Sequence, residues 1–188
     1  MKRLSKSDYA VDAVTAAKML LGKWLCRRLE DGTVLRARIV ETEAYCGEGD
    51  TACHAHCGKT ERNAPMYEAG GIAYIYLCYG MHNLLNVVTG RKDNPEAVLI
   101  RGIEGHVGPG RVTKFLQIDR ILNREPLTAS THLWIEDDGT PSPRFKATPR
   151  IGIAYATKRD QNRKWRFANP EFFAQVGRRE RPMSAGPG

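Results

Sequence analysis

The sequence predicts a single mixed α+β domain in which the strands pair mainly antiparallel. Its 188 residues, 41% of them hydrophobic, are enough to build one core-forming domain. Many short apolar or alternating runs are bounded by Gly, Pro and polar turns, which is typical of strands. Two segments have helical periodicity instead. No apolar run approaches the ~20 residues of a membrane helix, and no long apolar stretch suggests a secretory signal, so we expect a cytoplasmic protein.

The first third of the chain predicts a helix, a hairpin and an irregular segment. Asp12 is a favourable N-cap and Gly22 a favourable helix stop. The turn at Glu30–Gly32 joins two strand-like runs and predicts a β-hairpin with a long second strand. The predicted elements are a helix over 12–21, strands over 23–29 and 33–45, and an irregular functional segment over 46–71 that is rich in Gly, His and polar residues.

The remainder of the chain adds strands, one helix and a polar tail. The predicted elements are strands over 72–79, 83–89, 96–104, 132–137 and 149–155, a turn at Gly80–His82, and a helix over 108–122 that follows a Gly-Pro-Gly loop. Residues 178–188 are polar and rich in Gly and Pro, so we expect a basic, disordered tail after a domain spanning residues 1–177.

The net charge of the chain is +8, from 29 Lys and Arg against 21 Asp and Glu. Residues 144–181 hold eleven basic and three acidic side chains, so the remaining residues are formally neutral. A cationic segment attached to a neutral body indicates a polyanionic partner, most often nucleic acid. The alternative is a solubilising face followed by a basic tail, and charge alone favours neither.

The five cysteines indicate thiols rather than a disulfide framework, because their number is odd and no export signal is evident. The sequence Cys53-His54-Ala55-His56-Cys57 places four soft ligands together and makes zinc an alternative. Structural zinc sites usually draw ligand pairs from two separated segments, however, and no second pair is evident. We therefore expect no metal and no cofactor.

Strand alternation over 34–45 identifies two candidate carboxylates. Alternation places Leu35, Ala37, Ile39, Glu41, Glu43 and Tyr45 on one face and both Arg36 and Arg38 on the other. Carboxylates that continue a buried face are costly unless they are paired or functional. In the strand over 72–79, Tyr74 is expected in the core. Tyr79 ends that strand beside a turn, where a large side chain has little core to enter and can wedge into a partner.

Several of these segments together resemble the alkyladenine (3-methyladenine) DNA glycosylase family. The resemblance runs through RIVETEAY at 38–45, TERN at 60–63, YIYLCYGM at 74–81, Asn86, AVLIR at 97–101, GPG at 108–110, PRIGI at 149–153 and WRF at 165–167. It covers about residues 12–173, and an ETEAY motif followed by YxxYGM at this spacing is specific.

The resemblance implies a curved sheet, a protruding β-hairpin that enters DNA, and a monofunctional enzyme of base excision repair. Such an enzyme flips alkylated or deaminated purines out of duplex DNA from the minor groove and hydrolyses the N-glycosidic bond. The implied substrates are 3-methyladenine, 7-methylguanine, hypoxanthine and ethenoadenine. The implied roles are water activation by Glu43, positioning of water or backbone by Arg101, a base pocket formed by Tyr45, His54 and Tyr76, exclusion of normal purines by Asn86, and intercalation by Tyr79 with Met81.

Some residues depart from the pattern and leave alternatives open. Lys164 stands where the family usually has proline, and His56 competes with His54 for the pocket position, although spacing from Tyr45 favours His54. A lyase activity needs an amine nucleophile, and no lysine lies in an apolar stretch. The main alternative is a non-catalytic nucleic-acid binding module on the same scaffold. We expect a monomer in a bacterial cytoplasm, associated with the nucleoid through DNA.

Overall fold

The structure, a computed structural model, describes residues 1–171. The expected tail at 178–188 and the last residues of the expected domain lie outside this range. The strands are β1 (Lys2–Arg3), β2 (Trp24–Arg28), β3 (Val34–Cys46), β4 (Ala73–Cys78), β5 (His82–Val88), β6 (Glu96–Ile103), β7 (His106–Val107), β8 (Leu133–Asp137), β9 (Lys146–Thr148) and β10 (Arg166–Ala168). The helices are α1 (Lys6–Tyr9), α2 (Ala13–Leu20), α3 (Pro109–Phe115) and α4 (Lys158–Gln161), with 3₁₀ turns at Gly47–Gly49, Ala64–Tyr67 and Arg120–Leu122.

The strands form one curled antiparallel sheet built around the long β3. The order is β1-β8-β2-β3-β6-β5-β4, with β10 paired to both β3 and β9, and β7 paired to β6. The first half of β3 pairs with β2, and its second half pairs with β6 and β10. Because one strand serves two sets of neighbours, the sheet curls around it. The mixed α+β, mainly antiparallel fold predicted from the sequence is confirmed.

The main core lies between the sheet and the helices packed on it. Its fully buried side chains include Leu20 of α2, Ile39 of β3 and Leu85 of β5, together with Leu116 at the end of α3. Burial of a Leu or Ile side chain stabilises a fold by about 1.5–3 kcal/mol. This core holds α2 against β3 and α3 against β5 and β6, and so fixes the strands that carry the site.

The predicted helix and hairpin of the first third are confirmed. The carboxylate of Asp12 accepts the Thr15 N–H at 2.9 Å as the N-cap of α2, which satisfies one of the unpaired amides of the first turn. Gly32 has φ 85° in the turn between β2 and β3, a conformation that glycine adopts without steric cost. Cys46 ends β3, and the rest of the segment expected to be irregular, residues 47–71, is irregular apart from two 3₁₀ turns.

Three predictions in the later part of the chain are wrong. The helix expected over 108–122 ends at Phe115, because Gln117 has φ 50° and the Ile118 N–H bonds back to the Thr113 carbonyl at 2.9 Å. This arrangement is a Schellman stop. The strand expected over 149–155 is a loop, and β9 and β10 form nearby instead. The turn expected at Gly80–His82 lies one residue earlier, and His82 already belongs to β5.

Candidate active site

An irregularity in β3 sets the orientation of the two candidate carboxylates. The pairing of β3 with β6 shifts register on both sides of Glu41. Before this bulge Ile39 faces the main core, and beyond it Ala44 does. Glu43 and Tyr45 therefore project from the opposite face, since neighbouring side chains alternate. The expectation that odd-numbered residues from Leu35 to Tyr45 share one face is wrong, because the bulge reverses the alternation.

Glu43 is fully buried and accepts two hydrogen bonds. The Tyr45 hydroxyl donates to Glu43 Oε2 at 2.9 Å, and the Ile151 N–H donates to Oε1 at 2.9 Å. Arg101 Nε lies 3.6 Å from Oε1. Burial raises the pKa of the Glu43 carboxyl, and the nearby Arg101 guanidinium opposes part of that shift. Glu43 is thus a fixed carboxylate with a higher proton affinity than an exposed glutamate.

Glu41, the second carboxylate, is also buried and shares its cationic partners. Its Oε1 lies 3.1 Å from Arg101 Nε and 2.5 Å from Arg166 Nε. Gly102 lies opposite the bulge, and a Cβ there would come within 3.0 Å of the Glu41 Cβ. A glycine at position 102 therefore gives Glu41 the space to pack beneath Arg101.

The four predicted base-pocket residues line one pocket. Tyr45, His54, Tyr76 and Asn86 come from β3, the irregular segment, β4 and β5 respectively. The wall is completed by residues for which no pocket role was predicted: Ala52, Met66, Tyr74, Ala97 and Tyr155. Tyr74 was expected in the core, and it is buried there while also forming part of the pocket wall.

His54 is held between two tyrosines. Its Nδ1 is 3.0 Å from the Tyr74 hydroxyl, and its ring meets Tyr76 edge-on with centroids 4.5 Å apart. Burial and the Arg62 cation lower the pKa of His54 to about 4. The competing His56 instead contacts the Glu48 carbonyl at 2.7 Å and is absent from the residues that line this cavity. The structure therefore places His54, not His56, in the pocket.

Asn86 is buried on β5 opposite Tyr74 of β4. Its Nδ2 donates to the Tyr74 carbonyl at 3.1 Å. This bond fixes the orientation of the amide against the pocket wall.

A wider cleft connects the pocket to the tip of the β4–β5 hairpin. Tyr79 is 88% exposed and Met81 74% exposed at this tip. Tyr79 and Gly80 both have positive φ, 50° and 69°, and for a residue other than glycine that conformation costs on the order of 1–3 kcal/mol. Tyr79 lines the cleft together with Arg101 and Ile151. An aromatic side chain is thus presented to solvent at the cleft edge.

The loop at 150–160 contributes contacts that sequence reasoning missed. Arg150 is buried and pairs with both carboxylate oxygens of Asp50, at 2.5 and 2.7 Å. It also donates to the Ala44 carbonyl at 2.9 Å, and its guanidinium lies 4.8 Å from the Tyr45 ring centroid. In the sequence, Arg150 lies in the PRIGI run of the family resemblance and in a segment interpreted as a strand, and no role was predicted for it.

Tyr155 and Asp160 join the same loop to the irregular segment. The Tyr155 hydroxyl donates to the Ala52 carbonyl at 2.9 Å. The buried Asp160 carboxylate accepts from Thr51 N–H at 3.0 Å and pairs with Arg163 at 3.1 Å. These contacts tie together two walls of the pocket that are distant in sequence.

The Cys-His cluster does not form a metal site in the part of the chain that the structure describes. Among residues 1–171, no group of three or more His, Cys, Asp or Glu side chains is arranged to hold a metal ion. Cys53 is buried and Cys57 exposed, both as free thiols. Burial raises the pKa of the Cys53 thiol to about 11, so this thiol is protonated near neutral pH.

Aromatic side chains line the pocket, and one of them, Tyr45, is hydrogen-bonded to the buried Glu43 carboxylate. A sequence model of the family described as methylpurine-DNA glycosylase matches residues 7–107 and 106–171. Relatives named "Putative 3-methyladenine DNA glycosylase" are 46% identical over 179 residues in Psychrobacter cryohalolentis and 44% over 168 in Borrelia garinii subsp. bavariensis. The alignments cover 80% and 83% of this chain, and 84% and 90% of those relatives. A third relative, from Methanocella arvoryzae, is 43% identical over 187 residues, covering 89% of this chain and 92% of its own.

The chain belongs to the methylpurine-DNA glycosylase family. This confirms the resemblance found in the sequence and the expectation of a DNA repair enzyme that hydrolyses N-glycosyl bonds. In the described residues, no helix is both long and apolar enough to span a membrane.

Proposed function

We propose that this chain is a monofunctional glycosylase that flips alkylated or deaminated purines out of duplex DNA and hydrolyses their N-glycosidic bond with water activated by Glu43. The substrates proposed are 3-methyladenine, 7-methylguanine, hypoxanthine and ethenoadenine. One observation carries the proposal: Tyr45 lines the aromatic pocket and bonds the buried Glu43 carboxylate at 2.9 Å. A base held in the pocket therefore has its sugar close to a carboxylate.

Glu43 and Arg101 supply the chemistry. As the base departs, positive charge develops on the sugar, and a nearby carboxylate both stabilises that charge and accepts a proton from the attacking water. Each carboxylate oxygen has a second lone pair, so Glu43 can accept water beside its present donors. Arg101 and Ile151 touch Glu43 and line the cleft, so water enters from that side. These steps require no metal or organic cofactor.

The pocket supplies recognition of the damaged base. Alkylated purines are electron-poor, and the faces of Tyr45 and Tyr76 attract them by stacking and cation–π interactions. A neutral His54 presents one donor or acceptor to the base edge, since its pKa of about 4 keeps it uncharged at neutral pH. Asn86, held by the Tyr74 carbonyl, restricts the ring substituents that fit. Flipping itself costs less at a damaged or mispaired base, which adds selectivity.

The hairpin tip and the basic residues account for binding to duplex DNA. Tyr79, together with Met81, would fill the gap left by the flipped base through the minor groove, because an apolar wedge offsets part of the lost stacking. The basic excess of residues 144–181 supplies salt-sensitive contacts to phosphate. One site per chain suffices for this chemistry, so we propose a monomer acting on chromosomal DNA in the cytoplasm.

The monofunctional assignment is supported by the pocket lining. No lysine is among the described residues that line the pocket or the cleft. Among the described residues Lys23 is buried. Its Nζ pairs with Asp137 at 2.7 Å on the β2–β8 side of the sheet, however, and it does not line the site. An ion-paired ammonium away from the pocket is a poor Schiff-base nucleophile.

The test is single-turnover release of damaged bases from duplex oligonucleotides that carry each of the four lesions. Glu43→Gln is expected to abolish release while DNA binding stays within a few-fold, because shape is kept and basicity is lost. Glu48→Gln, which removes an exposed carboxylate, is the matched control and should release bases normally. DNA binding without release by the unmodified protein would favour the non-catalytic module, and full activity of Glu43→Gln would contradict the assigned role of Glu43.

A further inference from the structure

The two buried carboxylates of β3, Glu41 and Glu43, have different kinds of partner. Glu41 Oε1 lies within ion-pair distance of two guanidinium groups, those of Arg101 and Arg166. Glu43 has neutral donors, the Tyr45 hydroxyl and the Ile151 N–H, and a longer contact with Arg101. Arg101 Nε is 3.1 Å from Glu41 and 3.6 Å from Glu43, so the guanidinium they share sits nearer the glutamate that we do not assign to catalysis.

Glu41 is a buried residue that contacts Arg101, and it is not a surface acid. Its side chain is 1% exposed, and its Oε2 has no hydrogen-bond partner among the described residues. The β3 bulge and the absence of a side chain on Gly102 place it beneath Arg101. A buried carboxylate with an unpartnered oxygen is costly to maintain, and holding Arg101 gives it a role.

The charged and titratable groups that face Glu43 come from every element packed around it. Glu41 and Tyr45 lie on β3, and Arg101 on β6. Arg166 of β10 is the register partner of Glu43. From the 150–160 loop, Arg150 and Tyr155 interact with Glu43 electrostatically. Of these groups, Glu41 is the one negative charge, and it is also the group that holds Arg101.

We propose that Glu41 is a positioning residue that draws Arg101 away from Glu43 and so keeps the Glu43 carboxylate basic enough to accept a proton from water. Without Glu41, Arg101 would pair fully with Glu43 and make it a weaker base. The negative charge of Glu41 acts in the same direction, because a like charge favours the protonated form of its neighbour. This inference rests on the proposed function, in which Glu43 activates water.

The experiment is the pH dependence of single-turnover base release by the full chain and by Glu41→Gln. The variant frees Arg101 and removes a like charge, so we expect the midpoint of the acid limb to fall by about one pH unit. Well below both midpoints, release should then be several-fold faster than in the wild type, because a larger fraction of Glu43 is ionised there. Above both midpoints, release should be slower, because a weaker base accepts a proton less readily. Glu104→Gln, which removes an exposed carboxylate, controls for net charge and should leave the midpoint unchanged.

A second variant keeps the proposal testable if Glu41→Gln does not fold, as judged by thermal unfolding. Arg166→Gln removes a cation that contacts Glu41 and also faces Glu43. Glu41 then holds Arg101 more closely, and both effects should move the acid limb to higher pH. Opposite shifts in the two variants support the proposal, since general loosening of the site would not change sign. If Glu41→Gln is folded and active but its acid-limb midpoint is unchanged, the proposal is overturned. If only Arg166→Gln folds, an unchanged midpoint in that variant overturns the proposal. Absence of release by the wild type would instead refute the proposed function.

Discussion

The hydroxyl of Tyr45 donates a hydrogen bond of 2.9 Å to the buried carboxylate of Glu43, two residues earlier on the same strand. Residues at this spacing share one face of a strand, so the contact follows from β geometry once the bulge has turned both side chains out of the main core. Tyr45 also lines the pocket. It thereby connects the place where a base would stack with the group that would activate water.

Replacing Tyr45 by Phe separates these two roles. The ring and its stacking face remain, but Glu43 loses a donor that stabilises its charged form, so the pKa of Glu43 rises further. A general base with a raised pKa stays protonated to higher pH, and the acid limb of single-turnover release should therefore shift upward. Tyr67→Phe, outside the pocket lining, is the matched control. An acid limb that coincides with that of the wild type would show that this hydrogen bond does not tune Glu43.

Replacing Tyr79 by Ser tests the hairpin tip. Loss of an aromatic wedge should weaken binding to lesion-containing duplex by about tenfold, since a stacking contact contributes about 1–3 kcal/mol. Stability should change little, because Tyr79 is 88% exposed. Ile121→Ser removes an apolar side chain that is also 88% exposed, but Ile121 does not line the cleft. Equal loss of affinity in both variants, measured by fluorescence anisotropy, would count against a specific wedge.

Replacing Arg150 by Met should strongly destabilise the fold. The variant leaves the Asp50 carboxylate buried without its bidentate partner, and breaking a buried pair in this way costs about 3–5 kcal/mol. In Arg124→Met the exposed pair with Glu68 is lost, at a cost below about 1 kcal/mol. Urea unfolding measures both, and similar losses in the two variants would show that the buried pair is not a structural anchor of the pocket.

His54 provides a prediction about acid stability. Its folded-state pKa of about 4 lies below the ordinary histidine value of about 6.5, so between these values the unfolded chain binds more protons than the folded one. The contribution of His54 to stability is therefore fully present above about pH 6.5 and is lost as pH falls toward 4. Titration of the His54 ring by NMR should show a midpoint near 4, and His54→Gln should lose less stability on acidification than the wild type. A ring midpoint near 6.5 would contradict the buried environment.

Motifs and local patterns allowed much of the site to be anticipated. Helix α2, the β2–β3 hairpin and the β4–β5 hairpin follow from capping, turn residues and alternation over short distances. The resemblance to a glycosylase family assigned Tyr45, His54, Tyr76 and Asn86 to one pocket, and the structure brings these four together.

Other features could not be anticipated, because they depend on contacts between distant segments. The pairing of Arg150 with Asp50 spans 100 residues, and the bond from Ile151 to Glu43 spans 108. These two contacts hold residues 149–155 as a loop, although the segment has the composition of a strand. Helix α3 ends early because Gln117 adopts positive φ, a conformation for which the sequence carries no glycine signal.

By itself, the sequence determined the fold class, the family and four of the residues that line the pocket, because these depend on local periodicity and on motifs of fixed spacing. Only the tertiary structure decided which way Glu43 points and what surrounds it. A strand repeats every two residues, so one bulge between Ile39 and Thr42 reverses every side chain beyond it. That reversal moves Glu43 and Tyr45 out of the main core and places them beside Arg101 and the aromatic pocket.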